Sequence, residues 1–142
     1  MRQSSFPTPQ DAENAFYDAL ERADLEAMMA VWAEDEEIVC VHPGGPRLAG
    51  HRAVRESWRG IFAGGGGMQV HVTQLVATEA VMLAVHSVQE NFAVSGEKRR
   101  IAPAVATNVY IKTAAGWRMV VHHASPAPGQ ADARPEAPKT LH

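Results

Sequence analysis

The order of helical and strand-like segments constrains the fold of this chain most. Apolar residues recur at helical spacing through the first half, whereas four long strand-like segments follow from Met68 onward. Helices that precede strands favour a segregated α+β architecture over alternating βαβ units. Short links between the strand segments predict antiparallel hairpins in a meander. We therefore expect a strongly twisted, mostly antiparallel sheet that curls around three N-terminal helices and leaves a pocket inside the cone.

Local signals give the expected boundaries of the helices. Thr8 is suited to cap a first helix, since Pro9 follows at its first position. Asp24 is suited to cap a second, short helix, and Gly50 precedes a third amphipathic helix. A β-branched run over residues 38–42, stopped by a Pro-Gly-Gly-Pro sequence, predicts one short strand between the second and third helices.

Length and charge exclude several classes of protein. The chain has 142 residues, enough for a single domain, which we assign to residues 1–126, with a flexible proline-rich tail over residues 127–142. Its 13 basic and 16 acidic residues supply no broad positive field, so nucleic acid is not an expected partner. No run of 18 apolar residues is present, so no membrane association is expected. Cys40 is the single cysteine, a usage that favours a cytoplasmic protein.

Histidines are the main candidates for chemistry, because the chain has seven. Side chains alternate along a strand, so a regular last strand places His123 on the same side as Trp117 and Met119, its more apolar face. The same alternation puts His42 on one face with Ile38 and Cys40. We therefore predict that His42 and His123 enter the pocket and act as general acid or base near neutral pH. Hydrogen-bonded histidines of purely structural role remain the alternative.

Other features of the sequence bear on ligands and cofactors. No His-x-x-x-His or His-x-His spacing occurs, so no metal site is predicted, and no cofactor is expected. Because histidines are numerous, a mononuclear metal site formed by His42, His123 and one carboxylate stays open as an alternative. Tryptophan and methionine in a pocket wall suit a small, flat, apolar ligand. Glu90 and Asn91 lie mid-strand on opposite faces, and we assign Asn91 to the pocket. The complete set of predicted pocket residues is Phe16, Tyr17, Trp32, Trp58 and Asn91.

Several short motifs occur in an order that resembles a known superfamily. They are Phe16-Tyr17-Asp18-Ala19-Leu20, Ala23-Asp24-Leu25-Glu26, Val31-Trp32-Ala33-Glu34-Asp35, Val41-His42-Pro43-Gly44, Ala106-Thr107-Asn108-Val109-Tyr110, Gly116-Trp117-Arg118 and His122-His123-Ala124-Ser125-Pro126. Between about Pro9 and Pro126 the chain resembles the NTF2-like, or SnoaL-like, superfamily, and its closing strands resemble the small bacterial SnoaL-like branch.

The resemblance implies a cystatin-like α+β cone, with three N-terminal helices packed in the concave face of a curved sheet. It also implies a homodimer formed through the outer sheet face. The superfamily includes ketosteroid isomerases, polyketide cyclases, dehydratases and epoxide hydrolases, as well as modules without catalysis, so the fold alone does not select a function.

Two positions depart from the ketosteroid isomerase pattern. Those enzymes use an aspartate before a proline at the end of the first strand as the base, and His42 stands before Pro43 here. Their oxyanion-binding tyrosine in the first helix is replaced by Phe16, with Tyr17 one residue further on. Steroid isomerisation itself is therefore not the expected reaction.

Two functions follow from these observations. In the first, the protein is an isomerase, lyase or cyclase of an apolar carbonyl compound, in which His42 and His123 move a proton while Asn108 or Tyr17 donates a hydrogen bond to the carbonyl. In the second, it is a non-catalytic module that binds an apolar ligand or forms a dimer.

Overall fold

Three helices and six strands make up the part of the chain that the structure describes. The computed structural model describes residues 5–34, 37–65, 68–94 and 101–129. The helices are α1 (Pro9–Arg22), α2 (Leu25–Val31) and α3 (His51–Phe62). The strands are β1 (Val39–Val41), β2 (Arg47–Ala49), β3 (Met68–Glu79), β4 (Leu83–Val94), β5 (Ala104–Thr113) and β6 (Gly116–Pro126).

The predicted helix starts are confirmed. The Thr8 hydroxyl accepts a hydrogen bond from the Asp11 backbone N–H at 3.0 Å, and Pro9 opens α1. The Asp24 carboxylate accepts from the Ala27 backbone N–H at 3.0 Å and caps α2. These side chains satisfy N–H groups that have no partner inside the first turn of a helix.

The six strands form one sheet in the order β2-β1-β6-β5-β4-β3. The four long strands pair antiparallel, as the short links predict. The sheet wraps around the helices as the cystatin-like cone, so the α+β prediction is confirmed. Two details were not predicted: β2 is an additional strand antiparallel to β1, and β1 lies parallel to β6.

A bulge in β6 overturns the predicted orientation of His123. Val109 pairs with Val121, but the next residue, Tyr110, pairs with Met119, so one extra residue of β6 has no partner in β5. An extra residue reverses the alternation of side chains beyond it. Consequently His122 is buried at 3% exposure on the inner face, and His123 is exposed on the outer face.

The core lies between the helices and the concave face of the sheet. Phe16 is fully buried at its centre, and its ring meets those of Tyr17, Trp32, Trp58 and His122 with centroids 4.8–6.4 Å apart. Full burial of an aromatic side chain of this size is a major contribution to the free energy of folding.

Two further features are the C-terminal segment and the apolarity of the helices. The Ala127 N–H donates to the Pro103 carbonyl at 2.9 Å, and the rest of the predicted tail, residues 130–142, lies outside the described residues. No helix within the described ranges has the length and apolarity that a membrane crossing requires.

Candidate functional site

A cavity of about 280 Å³ opens between α1, α3 and the inner face of the sheet. Most of its wall is apolar, with contributions from Trp58, Phe62 and Phe92. Three polar side chains reach it: His42, which follows β1, Glu90 of β4 and His122 of β6. The complete lining comprises Leu20, Ala23, His42, Pro43, Trp58, Ile61, Phe62, Gly65, Met68, Glu90, Phe92 and His122. An apolar cavity with a few converging polar groups is the usual form of a small-molecule site.

Glu90 is the carboxyl group of this cavity. It is 2% exposed, and the Tyr17 hydroxyl donates a hydrogen bond of 2.7 Å to its Oε2. Burial raises the pKa of Glu90 to about 7, and the negative charge of Glu13 raises it further, against the lowering effect of the Tyr17 hydrogen bond. A carboxyl group with such a pKa both gives and takes a proton near neutrality.

The hydrogen-bond network fixes which nitrogen of His122 carries the proton. Asn108 donates its amide hydrogens to the Tyr17 hydroxyl at 2.9 Å and to Oε1 of Glu13 at 3.2 Å. Its Oδ1 is therefore the acceptor for Nδ1–H of His122, at 2.7 Å. Nε2 of His122 is left unprotonated, 3.8 Å from Oε2 of Glu90.

Burial lowers the pKa of His122 to about 3, and the nearby His42 and His123 lower it further when they are charged. The ring is therefore neutral at pH 7, and its Nε2 is a weak base that accepts hydrogen bonds. Between His122 and Glu90, the carboxylate is the stronger base.

His42 also lines the cavity, as predicted. Ser57 donates its hydroxyl hydrogen to the Val54 carbonyl at 2.8 Å, so its oxygen accepts from Nε2–H of His42 at 3.0 Å. The His42 ring stands edge-on to Trp58 at a centroid distance of 4.7 Å. Partial burial lowers the pKa of His42, which keeps this ring neutral as well.

A second buried carboxylate, Glu13 of α1, accepts hydrogen bonds that stabilise this network. It is 2% exposed, and its Oε1 accepts from the Tyr110 hydroxyl at 2.9 Å and from Asn108 at 3.2 Å. Nδ1 of His86 lies 3.1 Å from the same oxygen, and Gln74 donates to Oε2 at 3.2 Å. The Glu13 carboxylate thereby fixes Asn108 and, through it, the orientation of His122.

Two predicted site residues lie outside the cavity because they face the other side of the sheet. His123 points outward after the β6 bulge, so a proton shuttle between His42 and His123 is wrong. Asn91 also belongs to the outer face, where its amide donates to the His71 carbonyl at 2.9 Å and to the Thr73 hydroxyl at 3.1 Å. Its neighbour Glu90 takes the inward position.

The other predicted residues lie at or behind the cavity. Trp58 forms part of its wall, whereas Phe16 and Trp32 are fully buried in the core beneath it, enclosed by other aromatic rings. Tyr17 and Asn108 reach the site only through Glu90 and His122, since their hydrogen-bond donors are already used within the protein. Direct donation from either residue to a ligand carbonyl would require these hydrogen bonds to break, and it stays a prediction.

Sequence reasoning missed Glu13, Glu90 and His122 as site residues. Glu13 stands three and four positions before Phe16 and Tyr17, a spacing that puts it on the buried face of α1. Glu90 is an even number of residues from Ala84, so the alternation of side chains along β4 places both on the same, inner face. That alternation could have identified Glu90 from the sequence. No sequence signal marks the bulge that turns His122 inward.

Among residues 5–34, 37–65, 68–94 and 101–129, no three His, Cys, Asp or Glu side chains form a group suited to a metal ion.

Comparisons with known proteins agree with this architecture. A solved structure from Thiobacillus denitrificans, named for a calcium/calmodulin-dependent protein kinase type II association domain, is 40% identical with a TM-score of 0.84, over 88% of this chain and 99% of that one. A Streptomyces avermitilis structure, named for a dehydratase of the NTF2-like family, is 31% identical with a TM-score of 0.74, over 83% and 93% of the two chains.

A more distant relative is the F-box protein SKIP8 of Arabidopsis thaliana, 26% identical over 110 residues. The match covers 78% of this chain but 46% of that protein, so the chain spans about half the length of this relative. The model of the SnoaL-like domain family matches residues 10–129, nearly all of the helices and strands described above. The chain belongs to the SnoaL-like domain family.

Proposed function

We propose that this protein transfers protons on a small apolar carbonyl compound bound in the cavity, as an isomerase, lyase or cyclase does. The observation that carries this proposal is the buried Glu90 carboxyl, which has a pKa of about 7. It lies near the unprotonated Nε2 of His122 in a cavity whose wall is mostly apolar. Groups with such shifted pKa values in a cavity are typical of acid–base catalysts.

The chemistry assigns Glu90 the central role. Its carboxylate removes a proton from the carbon next to the ligand carbonyl and becomes the neutral acid. The electron pair of the broken C–H bond forms a carbon–carbon double bond, and the π pair of the carbonyl moves to its oxygen, which gives an enolate. The same acid then returns the proton to that carbon or to a conjugated one, which restores the carboxylate. Nε2 of His122 accepts a hydrogen bond from a ligand hydroxyl.

Trp58 supplies a donor for the ligand oxygen in this proposal. It lines the cavity, and its buried indole N–H has no acceptor among the described residues. A buried donor without a partner costs about 1–3 kcal/mol, a cost that a ligand carbonyl relieves. The developing negative charge on that oxygen would be stabilised in the same way.

The test of function is exchange of carbon-bound protons in D₂O. Cyclohexanone, 2-cyclohexenone and 1-indanone serve as probes, with loss of the proton NMR signal next to the carbonyl as the readout. We expect exchange above the buffer rate, and Glu90→Gln should reduce it by about 10²–10⁴-fold because the base is lost. Glu79→Gln, an exposed position on β3, is the matched control and should exchange at the wild-type rate. Equal rates for wild type and Glu90→Gln would exclude Glu90 as the base.

Removing the indole donor should weaken ligand binding. Trp58→Phe keeps an aromatic wall and removes the N–H, so the affinity for 1-indanone should fall by about tenfold, the equivalent of one net hydrogen bond. Binding is measured by NMR titration, with indane as the matched ligand that has no oxygen. Indane should bind both proteins alike, and an unchanged affinity for 1-indanone would remove Trp58 from the proposal.

The 40% identical relative named for an association domain favours a second candidate function, self-association. We propose that a homodimer forms through the outer sheet face, where Val105 and Val121 border a groove that also includes His123. Sedimentation of the wild type at micromolar concentration should give a dimer, and Val105→Glu should shift it towards monomer. A monomeric wild type would exclude this assembly, and dimerisation without exchange activity would favour the non-catalytic function.

A further inference from the structure

A second cavity, of about 260 Å³, lies between the first half of α1 and β3. It shares no lining residue with the cavity that contains Glu90 and His122, and five of its six lining residues carry a polar group. The lining comprises Gln10, Glu13, Asn14, Tyr17, Val72 and Gln74. The proton transfer proposed above leaves this cavity without a role.

The polar atoms of this cavity are mainly acceptors. The amide of Gln74 donates to Oε1 of Gln10 at 3.0 Å and to Oε2 of Glu13 at 3.2 Å. The amide of Gln10 donates in turn to Oδ1 of Asn14 at 2.9 Å. Each of these oxygens has a second lone pair, and the Gln74 oxygen adds a further acceptor.

The charge of the cavity has one sign. Glu13 is the ionisable acid among its lining residues and none of the six carries a basic group. Tyr110 of β5 and His86 of β4 both contact Oε1 of Glu13, at 2.9 and 3.1 Å, whereas Gln74 donates to Oε2 at 3.2 Å. Oε2 therefore offers a buried negative charge to a ligand, and a buried charge is most stable when a charge of opposite sign pairs with it.

We propose that this cavity binds a small organic ammonium ion, whose N–H groups donate to Oε2 of Glu13 and to the amide oxygens of Gln10 and Gln74. An ammonium group has three donors and no acceptor, which matches a wall of oxygens. The hydrocarbon part of the ligand packs against Val72, the apolar residue of the lining. This inference is independent of any reaction in the first cavity.

Occupancy of this site would also act on Glu90. The negative charge of Glu13 is one of the causes that raise the pKa of Glu90. A cation beside Glu13 offsets that charge and favours the ionised Glu90.

The experiment is an NMR titration of the side-chain amides of Gln10, Asn14 and Gln74 with ethylammonium chloride. Sodium chloride at equal ionic strength and ethanol, a neutral molecule of similar size, are the controls. We expect saturable shifts with ethylammonium alone. Absence of saturation overturns the proposal, as do equal shifts with ethanol, and equal saturable shifts with sodium chloride overturn the assignment to an organic ammonium ion.

Asn14→Lys tests the location of the site without changing the buried network. Asn14 is exposed, and a lysine there places its own ammonium group at the cavity. Ethylammonium affinity should fall at least tenfold, whereas Ala63→Lys, which adds the same charge at an exposed position outside this cavity, should bind like the wild type. Wild-type affinity in Asn14→Lys would contradict the proposed location. Because binding is measured without turnover, a failure here is distinct from a failure of the exchange experiment.

Discussion

Replacement of Glu13 by alanine should lower the free energy of unfolding by about 3–5 kcal/mol, the usual cost of breaking a buried charged network. The carboxylate is 2% exposed and is contacted by Tyr110, Asn108, His86 and Gln74. Its removal leaves their buried donors without an acceptor, and each such loss carries a desolvation cost. Urea unfolding followed by tryptophan fluorescence gives the value.

Two further variants make this prediction specific. Glu13→Gln keeps an acceptor oxygen, so its destabilisation should be smaller than that of Glu13→Ala. Glu56→Ala removes an exposed carboxylate of α3 that pairs with Arg59, and should cost less than about 1 kcal/mol. If Glu13→Ala lowered the free energy of unfolding by less than about 1 kcal/mol, the network would not support the site as described.

The second large effect is a pH-dependent stabilisation by Glu90→Gln. Burial raises the pKa of Glu90 from 4.5 to about 7, so between these values the folded protein holds a proton that the unfolded chain has released. Stability therefore falls as the pH rises from 4.5 to 7. Glutamine cannot ionise, and above pH 7 the variant should be more stable than the wild type by about 3 kcal/mol, since each pKa unit is worth 1.36 kcal/mol.

With the Glu90 carboxyl removed, the same variant should show the contribution of His122 to the pH dependence of stability, which has the opposite sign. Its pKa is lowered to about 3, so below pH 6.5 the unfolded chain binds a proton that the folded ring does not. This contribution to stability is complete above pH 6.5 and is lost as the pH falls towards 3. Urea midpoints from pH 4 to 8 measure both effects, with Glu79→Gln as the control. A constant difference between Glu90→Gln and wild type across this range would contradict the raised pKa.

Most of the fold was predictable because its signals are local. Thr8 and Asp24 mark helix starts through their own hydrogen bonds, and the short links between strands require antiparallel pairing. The strand over residues 47–49 escaped prediction because three residues after a Pro-Gly-Gly-Pro sequence carry little pattern.

The candidate site was predictable only in part. His42 and Trp58 were assigned correctly to the cavity wall, since they follow regular alternation or helical spacing. His123 was chosen in place of His122 because one bulged residue reverses the alternation, and a bulge depends on pairing with β5 rather than on the residues of β6 alone. The shifted pKa of Glu90 likewise depends on burial by distant segments.

The most direct test of the central claim is the titration of the Glu90 carboxyl by carbon-13 NMR, assigned by comparison with Glu90→Gln. A buried carboxyl poised for proton transfer beside His122 predicts a midpoint near pH 7 for Glu90. Its resonance is identified by its absence from the spectrum of Glu90→Gln. A midpoint near 4.5 would mean that Glu90 is ionised throughout the neutral range, and would contradict the proposed site.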